Sequence, residues 1–85
     1  MVIFMGKKIH SIEEEKFIKA FGDKVRSLRE KYNITQAELA DRMDMSTQTL
    51  SDIENGKSDC QHSTSFLIAK AFGIEIHQLY MFEDE

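Results

Sequence analysis

The 85-residue sequence contains no proline, and it has a single cysteine. Because proline breaks helices, its absence favours an all-α fold. Cys60 alone cannot form an intramolecular disulfide, which is typical of a reducing cytoplasm. No apolar run is long enough to span a bilayer, and the opening residues MVIFMGKK are apolar before they are basic, the reverse of a signal peptide. The sequence therefore predicts one cytoplasmic helical domain with no membrane segment.

The sequence also lacks a net positive charge: its formal charge at pH 7 is −4. Residues 1–34 carry eight basic and five acidic side chains, for a net charge of +3, whereas residues 35–60 have a net charge of −4 and residues 61–85 of −3. The overall charge counts against nucleic-acid binding, but a local basic surface can still contact phosphates. Such a surface would have to come from the amino-terminal third.

Apolar residues recur at helical spacing from residue 12 onward and predict helix 1. They are Ile12, Phe17, Ile18, Phe21, Val25 and Leu28. Ser11 and Glu14 form a capping box at its start, and Asn33 suits a left-handed cap after an end near Lys31. Gly22 is unfavourable inside a helix, so a break is expected there between an amino-terminal turn and helix 1 proper.

Two short helices are predicted between Thr35 and Gly56. Thr35 and Glu38 form a second capping box, so helix 2 begins at Gln36. Ser46 is a good N-cap for helix 3, and Gly56 ends that helix in the left-handed conformation. The residues expected to be buried are Ala37, Leu39, Ala40, Met43, Met45, Leu50 and Ile53.

Two further helices are predicted in the last third of the chain. Ser63 or Thr64 caps helix 4, which ends at Gly73. Its core residues are expected to be Phe66, Leu67, Ile68, Ala69, Ala71 and Phe72. A short helix 5 is patterned by Ile74, Ile76, Leu79, Tyr80 and Phe82. Five helices around one core are expected, with residues 1–16 as an amino-terminal extension, 17–82 as the domain and 83–85 as an acidic tail.

The sequence resembles the phage-repressor-like helix-turn-helix proteins of the Cro, lambda-repressor and Xre type. The resemblance runs from about Phe21 to Tyr80 through FGDKVRSLREKYNITQAELADRM, STQTLSDIENGK and LIAKAFGI, in that order. It implies a compact five-helix lambda-repressor-like domain that binds double-stranded DNA sequence-specifically, with Thr47–Asn55 in the major groove. Most of the family has glycine in the turn; Asp44 stands here and tolerates the left-handed conformation at a modest cost.

The resemblance also implies roles for individual residues. Arg29 and Glu54 are expected to form a structural ion pair between helix 1 and the end of helix 3. Gln36 is expected to contact a phosphate and to buttress helix 3. The DNA-binding residues it implies are Gln36, Thr47, Gln48, Ser51, Asp52, Asn55 and Lys57. Gln48 suits adenine, and Asp52 either accepts from a cytosine amino group or only excludes other sequences.

A homodimer on paired half-sites about one helical turn apart is expected. The loop after Gly56 has Ser58, Asp59 and Cys60 where the family usually has basic residues and proline, which predicts weak binding by a monomer. The interface is predicted in helix 5 or in the amino-terminal arm at residues 2–4, although either segment would alternatively complete the monomer core. Met5 is an alternative start to Met1.

No catalytic residue, cofactor, metal site or small-molecule ligand is predicted. The three histidines lie in unrelated contexts, and the sequence contains neither a nucleophile elbow nor a phosphate loop. Cys60 and His62 are close together, but a zinc site normally needs four ligands. The main alternative is a protein-interaction module on the same scaffold, such as the antitoxin of a toxin–antitoxin pair, since the second half of the chain is acidic.

Overall fold

The computed structural model describes residues 11–82, which form four α-helices and one 3-10 helix. They are α1 (Ser11–Lys31), α2 (Gln36–Arg42), α3 (Thr47–Glu54), α4 (His62–Phe72) and the 3-10 helix (Ile76–Tyr80). Since these residues include no strand, the all-α prediction is confirmed. The predicted fifth α-helix is corrected to this 3-10 helix of five residues. The 3-10 helix occurs in short pieces because its hydrogen-bond geometry is poorer than that of an α-helix, and this segment has only five residues.

Several predictions concern residues outside this range. The amino-terminal arm at residues 2–4, the alternative start at Met5 and the acidic tail at residues 83–85 lie outside the described residues, as does the side chain of the predicted cap Ser11. The predicted boundary between residues 16 and 17 falls within the continuous helix α1. Across residues 11–82, no helix combines the length and the apolar composition needed to cross a membrane.

All four α-helices end in the same backbone motif. The motif requires a residue in the left-handed conformation, and the four residues at these positions are Asn33 (φ 58°), Asp44 (φ 55°), Gly56 (φ 72°) and Gly73 (φ 69°). In each case the amide of the next residue bonds back to a carbonyl five residues earlier, at distances from 2.8 to 3.0 Å. This pairing satisfies carbonyl groups that a helix end would leave free. The predicted left-handed positions are therefore confirmed.

Side-chain caps begin two of the helices as predicted. Thr35 Oγ1 accepts from the amide of Glu38 at 3.1 Å, and the Glu38 carboxylate accepts from the amide of Thr35 at 2.9 Å. Ser46 Oγ accepts from the amide of Thr49 at 3.0 Å. The prediction for α4 is wrong.

Helix α4 begins at His62, ahead of both predicted caps, and its N-cap Gln61 makes no side-chain hydrogen bond. Ser63 and Thr64 are therefore inside the first turn. The early start is stabilised by Ser65, whose amide bonds to the Gln61 carbonyl at 3.0 Å and whose hydroxyl donates to the His62 carbonyl at 2.8 Å.

One apolar core joins α1, α2, α3, α4 and the 3-10 helix. Its buried members are Phe21, Val25, Leu28, Leu39, Ala40, Met43, Leu50, Ile53, Ile68, Ala69 and Leu79. Three predicted core residues are instead exposed: Ala37, Phe66 (53%) and Leu67 (44%). On α4 the inward stripe is Ser65, Ile68 and Ala69, and the helical rotation of about 100° per residue turns the two positions after Ser65 away from the core.

Helix α1 continues through Gly22 without interruption, so the predicted break there is wrong. The reason for the glycine is the close packing of α3 against α1. A Cβ added to Gly22 would lie 2.8 Å from the carbonyl oxygen of Glu54 and nearer still to that of Ile53. Both obstacles are backbone atoms, which cannot rotate away. Gly22 therefore allows the carboxyl end of α3 to approach α1.

Substituting Gly22→Ala should lower the free energy of unfolding by about 1–3 kcal/mol, the usual cost of overpacking. The direction of the stability change is informative, because replacing glycine by alanine at an exposed helix position would instead stabilise the protein by about 1 kcal/mol. Chemical denaturation of the two proteins measures the difference. Ser27→Ala, at an exposed position of the same helix, is the matched control and should change stability by less than about 0.5 kcal/mol. A Gly22→Ala protein as stable as the parent would contradict the packing argument.

Candidate nucleic-acid interface

The carboxyl end of α3 carries a fully buried carboxylate, that of Glu54. Arg29 donates to it twice, from Nε to Oε2 at 2.7 Å and from Nη2 to Oε1 at 3.1 Å. Gln36 Nε2 donates to Oε1 at 3.0 Å. A buried charge is tolerated only when it is paired and its lone pairs are hydrogen-bonded, and Glu54 meets both conditions.

The same arginine also holds the connection between α1 and α2. Arg29 Nη1 donates to the carbonyl of Ile34 at 2.9 Å. The hydrogen bond and the charge of Glu54 raise the pKa of Arg29 above its ordinary value, against the opposing effect of burial. The structure thus brings together the two residues predicted as an ion pair, and Gln36, predicted to buttress helix 3, bonds to the same carboxylate. Through these contacts, the Glu54 carboxylate connects α1, α2 and α3.

The outer face of α3 is polar and accessible. Leu50 and Ile53 are buried on its inner face, as predicted, whereas Thr47, Gln48 and Asn55 are exposed. The other predicted contacts of α3, Ser51 and Asp52, are partly exposed. All five lie on one side of the helix because they are separated by one, three or four residues. Lys57 is also exposed, in the loop just beyond α3.

Hydrogen bonds within α3 link four of these side chains in pairs. Gln48 Nε2 donates to Asp52 Oδ1 at 2.9 Å, and Asn55 Nδ2 donates to Ser51 Oγ at 3.2 Å. Gln48 keeps its amide oxygen and one amide hydrogen available, which is the pattern required to pair with adenine.

Helix α1 places basic side chains beside this face. Lys19, Gly22, Arg26 and Arg29 recur at intervals of three and four residues, so they form one stripe along α1. Gly56 packs against this stripe, since a Cβ there would lie 3.1 Å from the Cα of Lys19. An open groove between α1 and the loop after α3 is lined by Lys16, Lys19 and Lys57 and by the acids Glu15, Asp23 and Asp59. The cations near α3 thus lie mainly on α1, where an equal number of acids accompanies those of the groove.

Sequence reasoning missed Arg26 as a contributor to the site. Its Nη2 donates to Asn55 Oδ1, and its Nε lies 3.6 Å from Glu54 Oε1. The available signal was the spacing from Arg29, because a residue three positions earlier on a helix faces the same neighbour.

Cys60 lies in the loop before α4, and His62 is the first residue of that helix. Burial, with a smaller effect from the charge of Asp59, raises the pKa of the Cys60 thiol to about 11. The thiol is therefore protonated at neutral pH, when it is a poor nucleophile and a poor metal ligand. Among residues 11–82, no group of three or more histidine, cysteine, aspartate or glutamate side chains is arranged to hold a metal ion.

A short helix, a turn through left-handed Asp44 and a second helix with a polar outer face define a helix-turn-helix unit. Comparison with known proteins agrees: the family model described as helix-turn-helix matches residues 25–79. The chain is 38% identical over 63 residues to an uncharacterized HTH-type transcriptional regulator of Methanocaldococcus jannaschii, covering 74% of this chain and 96% of the relative. A similar regulator of Archaeoglobus fulgidus is 34% identical over 62 residues, covering 73% and 89%.

Two solved structures have a similar fold. The clp gene regulator ClgR from C. glutamicum superposes with a TM-score of 0.73 at 25% identity, over 76% of this chain and 84% of that one. The restriction-modification controller protein C.AhdI from Aeromonas hydrophila, at 24% identity, shares the fold with a TM-score of 0.71 over 73% and 94%.

The chain belongs to the helix-turn-helix family of transcriptional regulators, of the Xre and Cro type. The family resemblance predicted from the sequence is confirmed. Membership also confirms the prediction that the protein is not an enzyme, because these regulators are non-enzymatic DNA-binding proteins.

The Arg29→Met substitution should lower the free energy of unfolding by about 3–5 kcal/mol, because it removes the bidentate cation from the buried Glu54 carboxylate and leaves the more distant Arg26 Nε, 3.6 Å away. Lys19→Met removes one partner of the exposed Lys19–Asp23 ion pair, 3.0 Å apart on the same helix, and is the matched control. It should cost less than about 1 kcal/mol. Urea denaturation of both variants measures the contrast. Equal losses would mean that burial of Glu54 does not set the cost.

Proposed function

We propose that the protein is a transcriptional regulator that binds double-stranded DNA sequence-specifically, with α3 in the major groove. The observation that carries the proposal is the polar outer face of α3, held by Glu54 at the point where α1, α2 and α3 meet. A major groove about 12 Å wide admits a helix, and its base edges are read by side-chain hydrogen bonds. The relatives named as HTH-type transcriptional regulators support a DNA partner over the alternative of a protein-interaction module.

Different residues are proposed to contact different parts of the DNA, according to the hydrogen bonds that each can make. Gln48, Ser51 and Asp52 face the bases, with Thr47 at the start of α3 reaching a phosphate or a thymine methyl group. Gln36 retains one amide hydrogen for a phosphate, because the other is donated to Glu54. Asn55 and Lys57 lie near the sugar-phosphate backbone just beyond the helix. The expected cytoplasmic location depends on the same proposal, because a protein that binds chromosomal DNA must be in the compartment that contains it.

The acidic charge of residues 35–60, −4 in total, weakens the attraction of this surface to DNA. Phosphate contacts provide most of the affinity of DNA-binding proteins. We propose that the basic residues of α1 supply part of that affinity and that a second subunit supplies the rest. Two subunits on half-sites about 34 Å apart add their contacts without any change in the surface of α3.

The proposed dimer interface is the aromatic surface where α1 meets the carboxyl-terminal segment. It consists of Phe17, Tyr80, Met81 and Phe82. The ring centroid of Phe17 lies 5.9 Å from that of Tyr80 and 5.6 Å from that of Phe82. Despite these contacts, Phe17 is 50% exposed and Met81 is 52% exposed. Exposed apolar patches of this kind on small proteins mark interaction sites. Leu79 is fully buried, so the segment contributes one residue to the monomer core and leaves its neighbours for a partner.

DNA binding is tested by titrating the protein with random duplex across a salt series and then selecting sites from a randomised duplex pool. The logarithm of the affinity should fall with the logarithm of salt concentration, by about 0.9 for each phosphate contacted. Gln48→Ala should lose about 1–3 kcal/mol of discrimination at one base pair while its affinity for random duplex is kept. His77→Ala, exposed on the 3-10 helix, is the control. A slope near zero at low salt would leave the protein-interaction alternative standing.

Dimerisation is tested with Met81→Glu, which places a charge on the aromatic surface without removing a ring from it. Sedimentation velocity over a concentration series should show a dimer for the parent and a monomer for this variant, with identical circular dichroism. Tyr32→Glu is the control for a charge elsewhere on the surface: Tyr32 is 47% exposed, stacks on Phe72 at 5.8 Å between ring centroids, and lies about 22 Å from Phe17 at about 1.5 Å per helical residue. An unchanged mass for Met81→Glu would place the interface elsewhere, such as the arm at residues 2–4.

A further inference from the structure

We propose that Arg26 is a positioning residue for base recognition. It fixes which atoms of the α3 surface donate hydrogen bonds, acting through the side-chain amide of Asn55 and then the hydroxyl of Ser51. The inference rests on the DNA-binding function proposed above and adds a specificity-determining residue on α1, outside the helix-turn-helix unit.

A continuous series of hydrogen bonds connects the three side chains. Arg26 Nη2 donates to Asn55 Oδ1, and Asn55 Nδ2 donates to Ser51 Oγ at 3.2 Å. Arg26 is itself held in place, since its Nε lies 3.6 Å from the buried Glu54 carboxylate. Its side chain is only 34% exposed. The guanidinium is therefore oriented before any DNA arrives.

The direction of each bond follows from the groups involved. A guanidinium has five donors and no acceptor, so only the oxygen of the Asn55 amide can face Arg26. The amide nitrogen must then point the opposite way, toward Ser51. An amide nitrogen only donates, so Ser51 Oγ accepts and its own proton is directed to another partner. The cation on α1 thus leaves the Ser51 proton available for donation to a partner other than Asn55.

The direction of these hydrogen bonds affects which base groups Ser51 can contact. A hydroxyl whose proton is free bonds to acceptors, which on the major-groove edges are purine N7, guanine O6 and thymine O4. Its second lone pair can still accept from an amino group, so the free proton adds bonds to acceptors without excluding bonds to donors. Without Arg26 the Asn55 amide can rotate by half a turn and accept the Ser51 proton. Ser51 would then present only lone pairs, and its hydrogen bond to an acceptor on a base would be lost.

The test compares selection from a randomised duplex pool by the parent, Arg26→Ala, Arg26→Lys, Asn55→Ala and the double variant. Arg26→Ala should reduce the preference for an acceptor at one base position by about fivefold, the effect of one neutral hydrogen bond. Asn55→Ala should affect the same position, and adding Arg26→Ala to it should change that preference no further. Arg26→Lys should retain the preference, because a lysine ammonium also only donates.

Loss of the Arg26 charge also weakens binding to every sequence alike, which is a separate effect from the change in base preference. If Arg26→Ala weakens all sequences equally, with the base preference intact and the same loss in the Asn55→Ala background, Arg26 is a direct phosphate contact. That result would overturn the proposal.

A measurement on the free protein separates this inference from the proposed function. The side-chain amide protons of Asn55 should give resonances in NMR spectra that shift in Arg26→Ala and are retained in Arg26→Lys, with the backbone spectrum otherwise unchanged. Resonances unaffected by Arg26→Ala would overturn the inference whatever the protein binds. Shifted resonances without binding to any duplex would instead show that the DNA-binding function is wrong, while the side-chain arrangement stands.

Discussion

The buried carboxylate of Glu54 is the contact on which the arrangement of the first three helices depends. It receives two hydrogen bonds from Arg29 on α1 and one from Gln36 on α2. Helix α3 has only eight residues, too few to be stable as an isolated helix. Its position must therefore come from tertiary contacts, and a carboxylate with paired donors fixes a direction as well as a distance. Gly22 makes the geometry possible by admitting the end of α3 close to α1.

A buried ion pair is an inefficient way to gain stability, because desolvating two charges offsets most of their attraction. Apolar side chains of similar volume would stabilise the same junction at least as well. They would not define the rotation of α3 about its own axis, since apolar packing is less directional than a two-point hydrogen bond. For a surface that distinguishes base edges, an error in rotation moves every contact at once. The arrangement is understandable if orientation matters more than stability at Glu54.

The elements that depend on local chemistry could be predicted from the sequence. Caps such as Thr35 and Ser46 and left-handed positions such as Asp44 are determined by residues within one turn. Two kinds of error involve contacts between distant segments. A break is predicted at Gly22 because a sequence does not show that a carbonyl from α3 approaches it, and the apolar run in α4 does not reveal which side faces the core. The other errors are local: α4 begins without a side-chain cap, and the last helix is a 3-10 helix. The bond from Arg26 to Asn55 joins residues 29 positions apart, so the spacing of Arg26 from Arg29 indicates a shared neighbour but not this bond.

In the proposed complex with DNA, affinity and specificity are supplied by different parts of this protein. The outer face of α3 consists mostly of neutral hydrogen-bonding groups, and its one carboxylate, Asp52, accepts a bond from Gln48. Such a face can distinguish bases but gains little attraction from phosphates. The cations of α1 lie beside it, and of these Arg26 also contacts the recognition surface. A charge placed there acts twice, by attracting the backbone and by orienting an amide. Under the proposed function, this explains how an acidic chain can bind DNA.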